Sequence, residues 1–221
     1  MNELPNVEQS YAVELVRKTI HLCSLSIPIV YYFVSKSTAL TILLPLTFVF
    51  GVSDLARVYH APTRALYHKL FGWLLRSHER NDSERRLNGA TYVLLSACIF
   101  MWILPKVVFI TAFSILIVSD TLAALIGRKF GRHRFLKKSF EGTTAFFLSG
   151  LVVVALSPKA AGIADEYLVG AIAALIGALV EAYFTFADDN LLVPASVGGT
   201  LWALYAILLP TVNVYALDIV R

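Results

Sequence analysis

The segment from Lys106 to Gly131 reads KVVFITAFSILIVSDTLAALIGRKFG, and this stretch decides the fold class. From Val107 to Val118 the chain is almost entirely apolar, and Asp120 follows two residues later. A helix needs about 20 mostly apolar residues to cross the hydrocarbon core of a membrane. An ionisable residue inside such a helix is costly and usually marks a functional site. The segment therefore predicts a membrane-spanning helix that carries a functional carboxylate.

The composition of the whole chain also indicates a membrane protein. Of the 221 residues, 57% are hydrophobic and 15% are charged, and the mean hydropathy is +0.70. Soluble domains carry about 25% charged residues, so this chain could not cover its apolar surface in water. The net charge of +4 and the pI near 9.1 fit basic cytoplasmic loops and anionic ligands rather than a nucleic-acid partner.

Seven segments are long and apolar enough to span a bilayer. We therefore expect an all-α fold, a polytopic bundle of about seven transmembrane helices in one domain over residues 1–221. Residues 1–10 form a polar N-terminal tail that lacks the basic start of a cleavable signal peptide, so the first span should be retained. The predicted spans cover residues 14–35, 38–56, 88–104, 106–126, 142–158, 167–187 and 191–210.

Basic residues are concentrated on one side of this topology. Fifteen of the 19 lysine and arginine residues fall at the N-terminal end of the first span or in two connections, residues 57–87 and 127–141. Cytoplasmic loops carry the excess of lysine and arginine, so we expect the N-terminus and both basic loops to face the cytoplasm. The host membrane would be a bacterial inner membrane or an ER-type membrane. The first loop could hold an amphipathic helix whose apolar face contains Leu66, Leu70, Trp73 and Leu74.

The acidic residues gather at the same membrane face. Carboxylates interleaved with basic loops make a suitable site for a metal-bound polyphosphate. The acids near the cytoplasmic ends of the predicted spans are Glu14, Asp54, Asp120, Glu141, Glu181, Asp188 and Asp189.

The first cluster at this face is Glu14-x-x-Arg17-Lys18-x-x-His21. Offsets of three, four and seven residues put the four side chains on one stripe of a helix. The alternative is an interfacial helix end whose basic side chains reach toward water. His21 lies one helical turn deeper in the membrane, and an interfacial helix end does not explain a histidine at that depth. We therefore interpret the stripe as part of a site, with Arg17 and Lys18 binding phosphate.

The second cluster is a basic connection between two carboxylates, Asp120 and Glu141. Its glycine residues let the backbone approach a ligand, and the helix that follows offers an N-terminus that favours anions. This pattern indicates a phosphate-binding loop between two acids that could hold Mg²⁺; the alternative is a basic loop without a ligand. The predicted phosphate-binding residues are Gly127, Arg128, Gly131, Lys137, Lys138 and Ser139.

The third cluster is Glu181 with Asp188, Asp189 and Asn190. Adjacent acids at a turn are often a solvated helix cap. Here no basic residue of the same connection balances them, which favours metal coordination by Asp188 or Asp189. A weaker feature is Asp54-x-x-Arg57, which is spaced as an ion pair within one helix.

In these blocks the chain resembles the family of dolichol kinases, phytol kinases and CTP-dependent diacylglycerol kinases. It is more distantly similar to phosphatidate cytidylyltransferases, whose longer C-terminal signature is absent. The resemblance covers nearly the whole chain. Its motifs are Glu14-x-x-Arg17-Lys18-x-x-His21, Asp120-x-x-Ala123-Ala124-x-x-Gly127-Arg128-x-x-Gly131, Lys138-Ser139-x-Glu141-Gly142 and Glu181 with Asp188-Asp189-Asn190 and Pro194.

The resemblance implies transfer of the γ-phosphate of CTP to the hydroxyl of a membrane lipid alcohol at the cytoplasmic face. On this hypothesis Asp120, His21 and Lys138 are catalytic, and Asp120, Glu141 and one of the two aspartates hold one or two Mg²⁺ ions. The preference for CTP comes from the resemblance alone. Polyprenol, phytol-type alcohols and diacylglycerol all present a hydroxyl beside an apolar tail, so the lipid and the oligomeric state stay open.

Two other functions remain as alternatives. A phosphatidate cytidylyltransferase would make CDP-diacylglycerol by attack of a lipid phosphate on the α-phosphate of CTP. An ion-coupled transporter would need acids near the middle of the membrane on several spans, whereas here the acids crowd one face.

Overall fold

The computed structural model describes residues 7–71, 87–184 and 188–218. The described residues are almost entirely helical, which confirms the all-α prediction. A two-stranded antiparallel hairpin joins β1 (Arg134–Phe135) to β2 (Lys138–Ser139), and a 3₁₀ turn covers Ala216–Asp218. The helices are α1 (Val7–Cys23), α2 (Ser26–Phe33), α3 (Lys36–Tyr59), α4 (Ala61–Phe71), α5 (Gly89–Ile103), α6 (Lys106–Phe130), α7 (Phe140–Leu156), α8 (Asp165–Tyr183) and α9 (Asp189–Leu208).

Four of these helices, α3, α6, α8 and α9, are long and apolar enough to cross a membrane. Helices α5 and α7 are apolar but shorter, with 15 and 17 residues. This set of helices is compatible with an integral membrane protein.

The first predicted span, residues 14–35, is divided into α1 and α2 by a turn at Ser24 and Leu25. Pro28 has no N–H, so it cannot donate to the Ser24 carbonyl one helical turn before it. That carbonyl instead accepts a hydrogen bond from the Ile27 N–H at 3.0 Å. The proline at position 28 thus accounts for the break in this predicted span, whereas Pro45 is accommodated inside α3.

Helix α6 is the centre of the bundle, and α1, α2, α7 and α9 pack around it. Its residues 107–121 are all buried except for the half-buried Ser114 and Val118. Phe109 stacks on Phe113 with ring centroids 5.1 Å apart, and Tyr31 of α2 meets Phe109 edge-on at 5.4 Å. In contrast, α3 exposes large apolar side chains along most of its length, as expected for a helix that faces lipid.

The second predicted basic loop is shorter than expected, and part of the first is helical. Helix α6 continues to Phe130, so Arg128 lies on a helix and the connection to α7 is reduced to residues 131–139. Helix α4 occupies the first part of the 57–87 connection, and it exposes Leu66 and Leu70. Trp73 and Leu74 lie outside the described residues.

The end of the bundle near Lys106 is closed by a buried carboxylate that the sequence prediction did not include. Glu166 of α8 is 1% exposed. Its oxygens accept hydrogen bonds from the Tyr205 hydroxyl at 2.7 Å and from backbone N–H groups of the α7–α8 connection. The backbone donors are Ala160, Ala161, Gly162 and Ile163. This carboxylate satisfies otherwise unpaired backbone donors, which is a structural role.

Candidate functional site

A polar cleft of about 440 Å³ opens at the other end of the bundle. Helices α1 and α6 form one side, and strand β2 with the adjoining ends of α7, α8 and α9 forms the other. This is the face where the sequence placed its clusters. The residues that line it are Glu14, Lys18, Asp120, Ala123, Ala124, Gly127, Arg128, Lys138, Ser139, Gly142, Glu181 and Asp189.

Three carboxylates from three different helices converge in this cleft. Asp120, Glu181 and Asp189 each offer an oxygen, and these oxygens lie within 4.8 Å of one another. Asp120 is 8% exposed and Glu181 is 4% exposed. The second oxygen of Glu181, Oε2, is buried and has no hydrogen-bond partner among the described residues. A buried carboxylate oxygen without a partner is costly, so this group of acids, the carboxylate trio, needs a cation.

Two lysine side chains partly meet that need. Lys18 Nζ lies 2.5 Å from Asp120 Oδ2, and Lys138 Nζ lies 2.6 Å from Glu181 Oε1 and 3.3 Å from Asp189 Oδ2. Burial of the Lys138 ammonium opposes its charged form, but the carboxylates of Asp189 and Glu181 outweigh that effect and raise the pKa of Lys138. These contacts therefore favour the charged form of Lys138, which lies between two of the acids.

The stripe on α1 faces the same cleft. Glu14 Oε2 pairs with Arg17 at 3.0 Å on its own helix and with Arg128 of α6 at 3.2 Å. His21 Nε2 lies 3.6 Å from Asp120 Oδ2. The offsets in the sequence thus put these side chains on the side of α1 that packs against α6. His21 is the imidazole placed beside the trio, where it could take up a proton.

The glycine residues of the predicted phosphate loop leave room for the side chain of Ser139. A Cβ atom on Gly131 would overlap the Gly127 carbonyl oxygen and lie 2.8 Å from Ser139 Oγ. A Cβ on Gly142 would lie 3.0 Å from the same hydroxyl, which caps α7 by accepting a hydrogen bond from the Gly142 N–H at 3.1 Å. These glycines let α6 and the start of α7 approach each other, and Gly127 and Gly142 also line the cleft.

Two predicted metal ligands lie apart from the trio. Glu141 accepts hydrogen bonds from His133, with 2.7 Å between Oε1 and Nδ1. Its own backbone N–H and the His133 side chain lower the pKa of Glu141 to about 2. Asp188 caps α9 by accepting hydrogen bonds from the N–H and side-chain amide of Asn190, at 3.0 and 2.6 Å. The described cluster therefore contains Glu181 in place of Glu141 and Asp188.

Lys137 also lies outside the lining of the cleft. Its backbone N–H donates to the Ala182 carbonyl at 3.1 Å, and its ammonium lies 5.7 Å from the centre of the Tyr183 ring. These contacts attach the hairpin to the end of α8 and so hold the neighbouring Lys138 beside Glu181.

Asp54 and Arg57 form the ion pair within one helix that their spacing predicts, with 2.7 Å between Arg57 Nε and Asp54 Oδ1. Both residues are buried. Asp54 Oδ2 also accepts a hydrogen bond from the Asn88 N–H, and Asn88 donates to the Tyr67 hydroxyl at 3.1 Å. The pair joins α3 to the start of α5 and does not line the cleft.

The sequence prediction placed Glu181 among the site residues but did not name it as a metal ligand. One helix was predicted over residues 167–187, which would put Glu181 about two turns from the aspartates. Helix α8 instead ends at Tyr183, and α9 begins at Asp189. With these helix ends, the carboxylates of Glu181 and Asp189 lie beside each other.

The trio has the chemistry of a site for a hard divalent cation. Carboxylate oxygens are the ligands that Mg²⁺ takes in proteins, usually together with phosphate oxygens and water. The buried Glu181 Oε2, which has no described partner, is an oxygen that such an ion would satisfy. The residues present therefore fit the predicted Mg²⁺, which Asp120, Glu181 and Asp189 would hold.

Comparisons with known proteins give a partial similarity. No family model and no solved structure matches the chain. An uncharacterized protein of Rickettsia prowazekii is 28% identical over 190 residues, which cover 85% of this chain and 93% of that protein. The phytol kinase of Synechocystis sp. is 34% identical over 90 residues, which cover 38% of this chain and 39% of the kinase. The chain is thus similar to part of a lipid-alcohol kinase.

Proposed function

We propose that this protein is a membrane kinase that transfers the γ-phosphate of CTP to the hydroxyl of a lipid alcohol. The observation that carries the proposal is the cleft in which three carboxylates meet Lys18, Arg128 and Lys138. The partial similarity to a phytol kinase supports a kinase and a long-chain alcohol, and CTP follows from the motif resemblance.

The reaction would form a bond between the lipid hydroxyl oxygen and the γ-phosphorus. The bond from that phosphorus to the β,γ-bridging oxygen would break, leaving lipid monophosphate and CDP. The hydroxyl proton is released, and His21, 3.6 Å from Asp120, is the candidate that accepts it. Phosphoryl transfer depends chiefly on positioning and on stabilisation of charge, and both suit a cleft with fixed ionic side chains.

The charge of the cleft argues that nucleotide and metal bind together. Four carboxylates and three cations line it, so a bare triphosphate would meet as much repulsion as attraction. Asp120, Glu181 and Asp189 would hold the Mg²⁺, which supplies charge neutralisation at the β- and γ-phosphate oxygens. Lys18, Arg128 and Lys138 would bind the remaining phosphate oxygens, with Arg17 supporting them through Glu14.

We further infer a multi-pass topology with seven crossings, in which α1 and α2 together make the first. The N-terminus and the cleft would face the cytoplasm, as the distribution of basic residues favours. The test is labelling of intact cells with a membrane-impermeant maleimide, after Cys23 and Cys98 are replaced by serine. Ala164→Cys should be labelled and Arg132→Cys protected; the reverse result would overturn this orientation.

The enzymatic test uses purified protein in detergent with Mg²⁺, candidate alcohols and CTP labelled at either the α- or the γ-phosphate. We expect the γ-label alone to enter the lipid product, and ATP to be a poorer donor. Glu181→Gln should lower the rate by about 100-fold or more, as expected for loss of charge stabilisation. Asp165→Asn, at the exposed opposite end of the same helix, is the matched control and should keep full activity.

The position of the label separates this proposal from its alternative. Entry of the α-label into lipid, with phosphatidate as acceptor, would identify a cytidylyltransferase instead. Failure of every alcohol to accept phosphate in protein that still binds CTP with Mg²⁺ would overturn the kinase proposal.

A further inference from the structure

A second cavity lies on the flank of the bundle, between α2 and the end of α7 that is remote from the polar cleft. Its volume is about 550 Å³, within the roughly 300–1,000 Å³ of typical small-molecule sites. We call it the apolar groove, because its walls are mostly hydrocarbon. Its lining includes Leu25, Phe33, Ile110, Ser114, Val118 and Leu156.

We propose that the apolar groove binds the hydrocarbon tail of the lipid substrate as one extended chain, with the hydroxyl toward His21. This inference rests on the proposed lipid kinase activity and adds a substrate class to it, a single-chain lipid alcohol.

The groove reaches the core of the protein. Over residues 107–121 of α6, Ser114 and Val118 are the two positions that are not fully buried, and both line the groove. An ordinary boundary lipid would contact outer helices such as α3. A ligand in this groove would instead lie against the helix that carries Asp120.

The groove and the cleft are connected along α1 and α2. Lys18 lines the cleft, Leu25 lines the groove, and His21 lies between them in the sequence. Lys18 and His21 share one face of α1, and Leu25 lies in the turn that follows, where the Ser24 N–H donates to the His21 carbonyl at 2.9 Å. On α6, Val118 lines the groove and Asp120 lines the cleft, so a hydroxyl at this end of the groove would lie close to the imidazole beside Asp120.

The shape of the groove favours one chain that enters sideways. From Val118 to Ile110 the groove follows α6 for eight residues, or roughly 12 Å at about 1.5 Å per residue. Its outer rim is open, since Phe33 is 72% exposed and Leu156 is 82% exposed. A tail longer than the groove could continue past this rim into the bilayer, so the site would contact the part of the chain nearest the hydroxyl and tolerate longer tails.

The test is photo-crosslinking of the full-length protein with a long-chain alcohol that carries a diazirine near its hydroxyl end, followed by mass spectrometry of the peptides. We expect adducts on α2 and on the Ser114–Val118 part of α6, and we expect excess phytol or a polyprenol to suppress them. Labelling spread equally over α3, or suppression by phospholipid as strong as by phytol, would show ordinary boundary lipid and overturn the proposal. Suppression by diacylglycerol alone would also overturn it.

A substitution that fills the groove provides a second test of the proposal. Ser114→Leu should raise the KM for a long-chain alcohol by about tenfold, while the KM for CTP and the turnover of a short, water-soluble prenyl alcohol stay unchanged. Ile42→Phe, on the exposed face of α3, is the control. Equal effects of the two substitutions would contradict the groove proposal. Crosslinking requires no turnover, so groove labelling without any phosphate transfer would reject the kinase activity separately.

Discussion

Lys18 and Asp120, 102 positions apart in the sequence, form a buried ion pair with 2.5 Å between Lys18 Nζ and Asp120 Oδ2. The side chains are 6% and 11% exposed. The pair attaches α1 to the central helix. Because each charge is removed from water, each depends on the other for its stability.

We expect Lys18→Met and Asp120→Asn each to destabilise the protein, since each leaves one buried charge without its partner. The expected loss is about 3–5 kcal/mol, measured as a lower apparent melting temperature in detergent. The double variant should recover much of the stability but no phosphoryl transfer. Additive destabilisation in the double variant would show that the two side chains do not depend on each other.

The carboxylate trio predicts a specific cation site. We expect Glu181→Gln to weaken binding of Mn²⁺, used as a paramagnetic substitute for Mg²⁺, by at least about tenfold, because it removes charge from the trio. Electron paramagnetic resonance of the unbound ion measures this affinity without any turnover. Asp165→Asn provides the matched control on the same helix. Equal Mn²⁺ affinity in the two variants would exclude Glu181 as a ligand.

The Asp54–Arg57 pair predicts a loss of stability without a change of chemistry. Asp54→Asn weakens the bond to Arg57 and the contact with the Asn88 N–H, so we expect a lower melting temperature. The affinity for CTP with Mg²⁺, measured by calorimetry on folded protein, should be unchanged because the pair lies outside the cleft. A selective loss of nucleotide affinity would place Asp54 in the site.

Loss of the hydrogen bonds to Glu166 should destabilise the opposite end of the bundle. Tyr205→Phe removes one charge-assisted hydrogen bond, worth about 1.5–3 kcal/mol, and Glu166→Gln should cost more because several backbone donors lose a charged acceptor. Both variants should melt at lower temperature, and their phosphoryl transfer per folded molecule should stay normal. A catalytic defect at full stability would contradict this assignment.

The pair of Glu141 with His133 predicts a pH dependence. The pKa of Glu141 is lowered from 4.5 to about 2 in the folded protein, so its contribution to stability is complete above pH 4.5 and is lost as the pH falls through about 2. Acid titration of thermal stability should therefore be shallower in Glu141→Gln than in the unmodified protein. Identical slopes would show that the contact contributes nothing.

The features that the sequence predicts correctly are those that depend on the spacing of residues along one helix. The helix with Asp120, the α1 stripe that contains Lys18 and His21, and the Asp54–Arg57 pair all follow from spacing along one helix. Ligands contributed by separate helices are harder to predict, because their convergence depends on where each helix ends.

Glu181 and Glu141 illustrate this limit. Glu181 joins the trio because α8 ends at Tyr183, and no strong helix breaker marks that position in the sequence. Glu141 is adjacent to the predicted phosphate loop, yet the hairpin brings His133 to it instead. The division of the first span at Ser24 and Leu25 was signalled by Pro28, but prolines are also tolerated within membrane helices.

The ion pairs of Lys138 mean that a metal ion in the cleft would exchange with this lysine as the counter-ion of Glu181 and Asp189. The Lys138 ammonium forms ion pairs with Glu181 and Asp189, which offsets part of the cost of burying these acids. If these carboxylates bind Mg²⁺ as proposed, Lys138 would be released to meet a phosphate oxygen. Divalent ion and triphosphate should then strengthen each other's binding by the same factor, and neither would be held tightly alone.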